Sequence, residues 1–239
     1  MYAPGESRPA TKGFGELKRS EFYLDVREKT SDAQKTFGLL KDSWQKQTND
    51  MDKKTRFIYR CHSVEEVREK IKELPQKYKD YAIRRYFNKT VSQTAEEIFC
   101  SYNICEKEPN KFHRYIDFRI LGVPFDLKVS SYPARFKYLR SDFRTEREYR
   151  NALIYWLYKN QSREQRHHYK NRLFILCKKG NGKIPKANNQ LKTRLDLIDQ
   201  QVHNFLNYSL SKYYKGEKVF NDLVIDGYHI FSDIILIED

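Results

Sequence analysis

Two stretches of alternating apolar and polar side chains, at residues 112–121 and 124–131, constrain the fold of this chain more than any other feature. Successive side chains of a β-strand point to opposite faces, so each stretch predicts a strand with one apolar face. The apolar positions are Ile116, Phe118, Ile120, Phe125, Leu127 and Val129. Because a slip of one residue turns a whole apolar row toward water, both rows share one buried face and the polar side chains share the other.

The position of the turn decides which polar side chains meet in this hairpin. With residues 122–123 as the loop, Asp117 lies opposite Lys128, and Arg119 lies opposite Asp126. Side chains that are directly opposed are about 5 Å apart. The hairpin therefore predicts two carboxylates and a lysine on one face.

Two carboxylates held this close raise each other's pKa unless a cation lies between them, and a divalent metal bound by oxygen ligands is the usual solution. Asp117 and Asp126 are therefore candidate metal ligands. Lys128 is placed to orient or deprotonate a water molecule, or to neutralise charge at phosphorus, and metal-assisted hydrolysis of a phosphodiester fits such a site. The alternative is a solvated sheet face with an ordinary ion pair between Asp117 and Lys128.

Further helices and strands are predicted around the hairpin. Apolar spacing predicts helices at residues 33–46, 64–74, 76–87, 91–104, from 145 onward, and at 190–214. Strands are predicted at residues 57–61, 173–177, 223–225 and 228–237. The turn dipeptide Asp226-Gly227 joins the last two into a hairpin. This order favours an α/β fold in which a mixed sheet is flanked by helices.

Residues 91–178 resemble the PD-(D/E)XK nuclease superfamily. The pattern of that superfamily is a glutamate on a leading helix, an Asp on one strand, an acid-x-Lys on the next, and then a helix and a strand. Asp117 matches the first strand acid, and Asp126 and Lys128 match the acid-x-Lys. Ile116 stands where the name-giving Pro is found, and Asp rather than Glu precedes Lys128. The resemblance implies a restriction-endonuclease-like fold and an endonuclease that uses Mg²⁺, with Mn²⁺ as a substitute.

The acid on the leading helix is Glu96 or Glu97, and the sequence leaves the choice open. A helical projection places Glu96 nearer than Glu97 to the apolar stripe that faces the sheet. Glu97 also fits a capping box with Thr94 if the helix begins late. In a third alternative both glutamates are solvated. Glu96 is the preferred catalytic residue and metal ligand.

The charge of the chain favours a polyanionic partner, because 46 Lys and Arg stand against 32 Asp and Glu and give a net charge of +14. Two basic runs follow the acidic strand residues, and we expect them on both sides of the acidic site, where they contact the backbone of double-stranded DNA. The candidate contacts are Arg135, Lys137, Arg140, Lys178, Lys179, Lys183, Lys186 and Lys192. The alternative is that either run is only a solvated face.

Three regions are expected along the chain: a flexible arm at residues 1–30, a helical region at 31–88 and the nuclease-like core at 89–239. No apolar run approaches the roughly 18 residues of a membrane span. The first residues lack the pattern of a signal peptide, so we expect a cytoplasmic protein with no membrane partner. The four cysteines form no Cys-x-x-Cys pair, and we expect them to be reduced core residues. The sequence leaves open whether the chain forms a homodimer.

The sequence therefore predicts a metal-dependent endonuclease that hydrolyses phosphodiester bonds of DNA, of the kind used in restriction or in defence against mobile elements. A catalytically inactive nucleic-acid-binding module with the same fold is the main alternative. The intact set of Asp117, Asp126 and Lys128 disfavours that alternative. A membrane-surface or scaffold protein could also use a charge of +14, but no helix combines a broad Lys/Arg face with a continuous apolar face.

Overall fold

The computed structural model of the protein describes residues 15–21, 24–40, 48–110, 113, 115–160 and 169–239. The helices are α1 (Val26–Gly38), α2 (Asn49–Lys54), α3 (Val64–Lys70), α4 (Gln76–Cys100), α5 (Glu146–Asn160), α6 (Pro185–Leu191) and α7 (Leu195–Tyr214). The strands are β1 (Cys105–Lys107), β2 (Phe118–Ile120), β3 (Val123–Ser131), β4 (Arg172–Lys178), β5 (Asn221–Ile225) and β6 (Tyr228–Glu238). Short 3₁₀ turns lie at Arg56–Arg60 and Arg140–Asp142.

Within these residues the strands form a six-stranded sheet in the order β1-β2-β3-β4-β6-β5. β2 is antiparallel to both β1 and β3, whereas β4 is parallel to β3 and β6 is parallel to β4. At the other edge, β5 is antiparallel to β6. Along the chain, α4 precedes the three antiparallel strands, and α5 connects β3 to β4. The prediction of an α/β fold with a mixed sheet flanked by helices is confirmed.

Apolar side chains are buried on both faces of the sheet. On one face the hairpin shares one apolar core with α1, α4 and α7, and the rings of Phe99 and Phe118 stack with their centroids 4.7 Å apart. On the other face α5 covers the parallel strands, where Leu153 packs with Phe174 and Ile234. Because β4 is covered on both sides, its residues from Arg172 to Cys177 are all buried, as is usual for a central parallel strand.

The β2–β3 hairpin turns at Leu121 and Gly122, not at residues 122–123 as expected. Both turn residues have positive φ angles, 50° for Leu121 and 81° for Gly122. This conformation matches the twist of the flanking strands in two-residue hairpins. Phe118 therefore lies opposite Phe125, and Arg119 lies opposite Pro124 instead of Asp126. Moving the turn by one residue shifts each cross-strand partner by two residues, so the apolar rows still share one face.

The first half of the chain differs most from its sequence pattern. The two helices expected at residues 76–87 and 91–104 are one continuous helix, α4, so the boundary expected between residues 88 and 89 falls inside it. The first helix begins at Val26, with Asp25 as its N-cap, rather than at residue 33. Residues 1–14 of the expected flexible arm lie outside the described residues.

The strand expected at residues 57–61 is also wrong, because that segment forms a 3₁₀ turn. Ile58 is fully buried in a small apolar cluster with α3 and α4. The ammonium group of Lys89 donates hydrogen bonds to the carbonyl oxygens of Ile58 and Cys61, at 3.2 and 2.9 Å. These contacts satisfy the backbone without a strand partner.

The second half follows its sequence pattern closely. The capping box at the start of α5 is present, since the N–H of Glu148 donates to Thr145 Oγ1 at 3.1 Å and the N–H of Thr145 donates to Glu148 Oε2 at 3.2 Å. Asp226 and Gly227 form the turn between β5 and β6, with φ angles of 51° and 82°. The helix expected at residues 190–214 is divided into α6 and α7. None of the described helices is long and apolar enough to cross a membrane.

Strand β6 is longer than its antiparallel neighbour. β5 pairs with residues 228–232 of β6, and no other strand of the described chain pairs with the same side of β6 beyond Ser232. The N–H of Ile234 donates to Oδ1 of Asp233 at 2.8 Å. The carbonyl oxygen of Ile234 accepts a hydrogen bond from the guanidinium of Arg150, also at 2.8 Å. Both the N–H and the carbonyl oxygen of Ile234 are therefore hydrogen-bonded to side chains.

Candidate functional site

Asp117 is held at the start of the hairpin by two backbone contacts. Its N–H donates to the carbonyl oxygen of Phe125 at 2.8 Å, and its Oδ2 accepts a hydrogen bond from the N–H of Leu127 at 2.6 Å. The carboxylate of Asp117 therefore lies against the backbone of β3 directly beside Asp126. Asp117 does not lie opposite Lys128 as expected, because the turn of the hairpin lies one residue earlier.

Burial and neighbouring acids raise the pKa of Asp117 above its ordinary value of 3.8. Burial is the largest cause, and the negative charges of Asp126 and Glu96 act in the same direction. The N–H of Leu127 and the charge of Lys128 act in the opposite direction. Asp117 thus lies within electrostatic reach of both other acids that the sequence selected.

Asp126 is buried, with 8% of its surface exposed. Its Oδ1 accepts a hydrogen bond from the ammonium group of Lys128. Its Oδ2 accepts one from Nε of Arg172 at 3.0 Å, because the parallel register of β3 and β4 places these two residues side by side. Two cations of the chain therefore compensate the carboxylate of Asp126.

Arg172 is a site residue that sequence reasoning missed. Its side chain is nearly buried and lies over the ring of Tyr158, with the guanidinium carbon 5.4 Å from the ring centroid. A charged residue at the first position of an apolar strand was the available signal, since buried arginines are almost always paired. In the sequence, Arg172 stood out only as one of many cations in a basic stretch.

Glu96 faces the site more closely than Glu97. The side chain of Glu96 is 23% exposed, and its Oε1 forms an ion pair with Nζ of Lys107 at 3.1 Å. Glu97 lies on the exposed side of α4. Thr94 is buried inside the continuous helix, so it does not begin a helix with Glu97 as its capping partner. Lys107 was also missed, because β1 is too short to show a periodic pattern.

The carboxylates of Glu96, Asp117 and Asp126 are of the donor type that Mg²⁺ and Mn²⁺ take, and their mutual repulsion favours a cation among them. Among the described residues, no group of three or more His, Cys, Asp and Glu side chains is arranged to hold a metal ion. Lys107 and Lys128 compensate two of the carboxylates instead. The donor set thus fits a divalent metal in chemistry, and Asp117 is the one of the three carboxylates without an ion pair among the described residues.

The expected nucleic-acid contacts differ in whether their charges are already paired within the chain. Arg135 and Lys137 are exposed and have no acidic partner in the part of the chain that the structure describes. Ion pairs join Arg140 to Glu146, Lys178 to Glu238 and Lys179 to Asp239. Lys183 donates to the carbonyl oxygen of Phe136 at 3.1 Å, and Lys186 is exposed.

The expectation for Lys192 is wrong, because its side chain is buried with 5% of its surface exposed. Burial lowers the pKa of Lys192 to about 8. A side chain in this position cannot contact a phosphate backbone at the surface. It belongs to the layer between α6 and the sheet, next to the buried thiol of Cys177.

The structure does not place the basic runs on both sides of the acids. The register of β3 and β4 pairs Asp126 with Arg172 at one end and Ser131 with Cys177 at the other. These ends are about 16 Å apart at the spacing of a strand. Arg135, Lys178 and Lys183 lie beyond the Ser131 end, whereas the acids lie at the Asp126 end. The two groups are therefore separate surfaces of one sheet.

All four cysteines are unpaired, and three of them are buried. Burial raises the pKa of the Cys100 thiol, beside the acidic group, to about 12. This thiol is therefore neutral at neutral pH and is not a nucleophile of the site. The expected core positions are confirmed for Cys61, Cys105 and Cys177, whereas Cys100 is half-buried.

Comparison of the chain with protein-family models, with curated proteins and with solved structures gave no match.

Replacing Asp117 by asparagine should increase the free energy of unfolding at neutral pH. The pKa of Asp117 is raised in the folded protein, so the folded state retains the proton to higher pH and its stability falls as pH rises through that range. Below pH 3.8, where Asp117 is protonated in both states, the variant and the parent should be equally stable. Urea denaturation at a series of pH values measures this, with Glu97→Gln as the exposed control. A loss of stability at neutral pH would contradict it.

Proposed function

We propose that the chain is a metal-dependent nuclease with a restriction-endonuclease-like fold that hydrolyses phosphodiester bonds of DNA. The observation that supports this proposal is that Asp117 lies within electrostatic reach of Glu96, Asp126 and Lys128, and that Lys128 contacts Asp126. The order of elements supports it, because α4, three antiparallel strands, α5 and the parallel strand β4 follow one another as in the PD-(D/E)XK pattern.

The roles follow from the contacts of each residue. Asp117, Asp126 and Glu96 would hold Mg²⁺ or Mn²⁺, which activates water and stabilises charge on the phosphate when it is bound. Lys128 would exchange its contact with Asp126 for one with the attacking water or the phosphate, and its side chain is 40% exposed, which leaves it room to move. Arg172 holds Asp126 in place from the neighbouring strand.

A nucleic-acid-binding module without catalysis is the second candidate. It is favoured by the two cations that already compensate Asp126. Restriction or defence against mobile elements is the biological setting we propose for the nuclease, and double-stranded DNA is the substrate that the charge of the chain favours.

Incubation with supercoiled plasmid, single-stranded DNA and RNA distinguishes the two candidates. We expect cleavage of DNA in Mg²⁺ or Mn²⁺ and none in excess EDTA, because the carboxylates need a cation to bind the phosphate. Cleavage that continues in EDTA would exclude the metal mechanism. Binding of nucleic acid with no cleavage in either metal would favour the binding module.

A further inference from the structure

Three tyrosines form an exposed aromatic surface near the end of the sheet at which β4 and β6 begin. Tyr155 lies on α5, Tyr169 precedes β4 and Tyr228 begins β6; we call these three residues the tyrosine shelf. The rings of Tyr169 and Tyr228 are stacked, with centroids 4.5 Å apart and planes 6° from parallel. Tyr155 is 48% exposed and Tyr228 is 55% exposed. Other tyrosines of the chain are exposed to a similar degree, and the shelf differs from Tyr208 in that two of its rings are stacked on each other.

Polar contacts fix the geometry of the shelf. The carboxylate of Asp226 accepts hydrogen bonds from the hydroxyl of Tyr169 and the ammonium group of Lys159. The same ammonium group lies over the ring of Tyr155, 5.5 Å from its centroid. The rings are therefore held in place by one acid and one lysine.

A chain of contacts connects the shelf to the acidic group. The hydroxyl of Tyr158, the residue before Lys159, donates to the carbonyl oxygen of Lys170 at 2.6 Å. The guanidinium of Arg172 covers the ring of Tyr158 and donates to Asp126. Arg172 pairs in register with Asp126 on β3 and with Ser232 on β6, so these two strands are about 10 Å apart, and Tyr228 lies four residues before Ser232, about 13 Å further along β6.

The shelf and the acid lie on the same face of the sheet. Side chains two residues apart on a strand point the same way. Arg172 is two residues from Phe174, and Tyr228 is two residues from Ile230, and both Phe174 and Ile230 belong to the core under α5. Both surfaces also lie toward the end of the sheet at which β3, β4 and β6 begin, so a strand of nucleic acid along this end, outside the part that α5 covers, would reach both.

We infer that the tyrosine shelf binds unpaired bases of a single-stranded segment by stacking, and that it directs the backbone of the DNA adjoining that segment toward Asp117 and Asp126. Aromatic rings stack on any base, whereas the bases of a duplex are already stacked on one another. The exposed Lys170 supplies positive charge beside the rings for the phosphates, whereas the charge of Lys159 is compensated by Asp226. That the shelf directs the backbone toward the acids rests on the proposed nuclease function, whereas the binding of bases by the shelf does not depend on it.

Fluorescence anisotropy with a labelled oligothymidylate, in EDTA so that nothing is cleaved, tests the inference. Tyr228→Ala should weaken binding of the single strand by roughly 5- to 150-fold, the range for loss of one base–aromatic stack. Tyr228→Phe keeps the ring and should bind like the parent. The affinity for a duplex of the same length should change much less than the affinity for the single strand.

The chain offers a matched control for Tyr155. Tyr208 on α7 is also exposed, and the ammonium group of Lys212, four residues later, lies over its ring at 4.6 Å as Lys159 lies over Tyr155. Tyr155→Ala should weaken single-strand binding, and Tyr208→Ala should not. Thermal unfolding of each variant verifies that the fold is intact.

Two results would overturn the inference: a parent protein that does not bind the single strand, or shelf variants that bind it as tightly as Tyr208→Ala does. Loss of single-strand binding in Tyr228→Ala, combined with no cleavage of any substrate by the parent, would support the shelf and contradict the nuclease. Cleavage by the parent with unchanged binding in Tyr228→Ala would support the nuclease and contradict the shelf.

Discussion

Asp126→Asn is expected to lower Mg²⁺-dependent cleavage of DNA by about 100-fold or more, because it removes a negative ligand from the metal while keeping the shape of the side chain. Asparagine can still accept a hydrogen bond from Arg172, so the fold should persist. Asp117→Asn and Lys128→Ala should reduce cleavage to a similar extent. Initial rates on plasmid DNA in Mg²⁺ measure the effect.

Glu96→Gln and Glu97→Gln provide a matched pair for the same experiment. Both substitutions remove one negative charge from the same turn of α4. The charge of Glu96 acts on Asp117, whereas Glu97 lies on the exposed side of the helix. Glu96→Gln should lower cleavage and Glu97→Gln should leave it near the parent rate. Equal effects of the two substitutions would mean that the helix contributes charge and not a ligand.

Arg172→Met is expected to lower the free energy of unfolding by about 3 kcal/mol, the lower end of the range for breaking a buried ion pair. The substitution leaves the buried carboxylate of Asp126 with Lys128 as its remaining cation, and Lys128 is partly exposed. Urea denaturation at neutral pH measures the loss. Arg135→Met is the control, because Arg135 is exposed and has no acidic partner among the described residues.

The double variant Asp126→Asn, Arg172→Met separates the loss of the pair from the loss of packing. Removing both charges avoids an uncompensated buried group, so the double variant should regain part of the stability lost in Arg172→Met. No recovery would indicate that Arg172 stabilises the protein through its contact with the ring of Tyr158. A stability of Arg172→Met equal to that of Arg135→Met would contradict the ion pair altogether.

The sequence predicted the layers of the sheet correctly because the alternation of Phe118, Phe125 and Leu127 depends on parity alone. It placed the turn one residue too late, because the alternation does not distinguish Leu121-Gly122 from Gly122-Val123, and a positive φ at Leu121 is rare for a residue with a side chain. That single step decided which side chain lies next to Asp126. The face to which each side chain points is therefore easier to predict than the residue that lies opposite it on the neighbouring strand.

Other differences arise where tertiary packing overrides a local pattern. No Gly or Pro interrupts residues 76–100, so nothing in the sequence required the break that was placed between two helices. Ile58 suits a strand by propensity, but it is buried under α4 in a 3₁₀ turn. Lys192 stands in a basic stretch, and only the packing of α6 on the sheet shows that it is buried.

The unequal lengths of β5 and β6 have a consequence for how this protein behaves at high concentration. An uncovered strand edge is where copies of a protein join into larger sheets and aggregate. At Ile234 the donor is already taken by Asp233 and the acceptor by Arg150, so a strand from a second molecule finds neither group free. We expect this part of β6 to resist aggregation for as long as Arg150 remains in place.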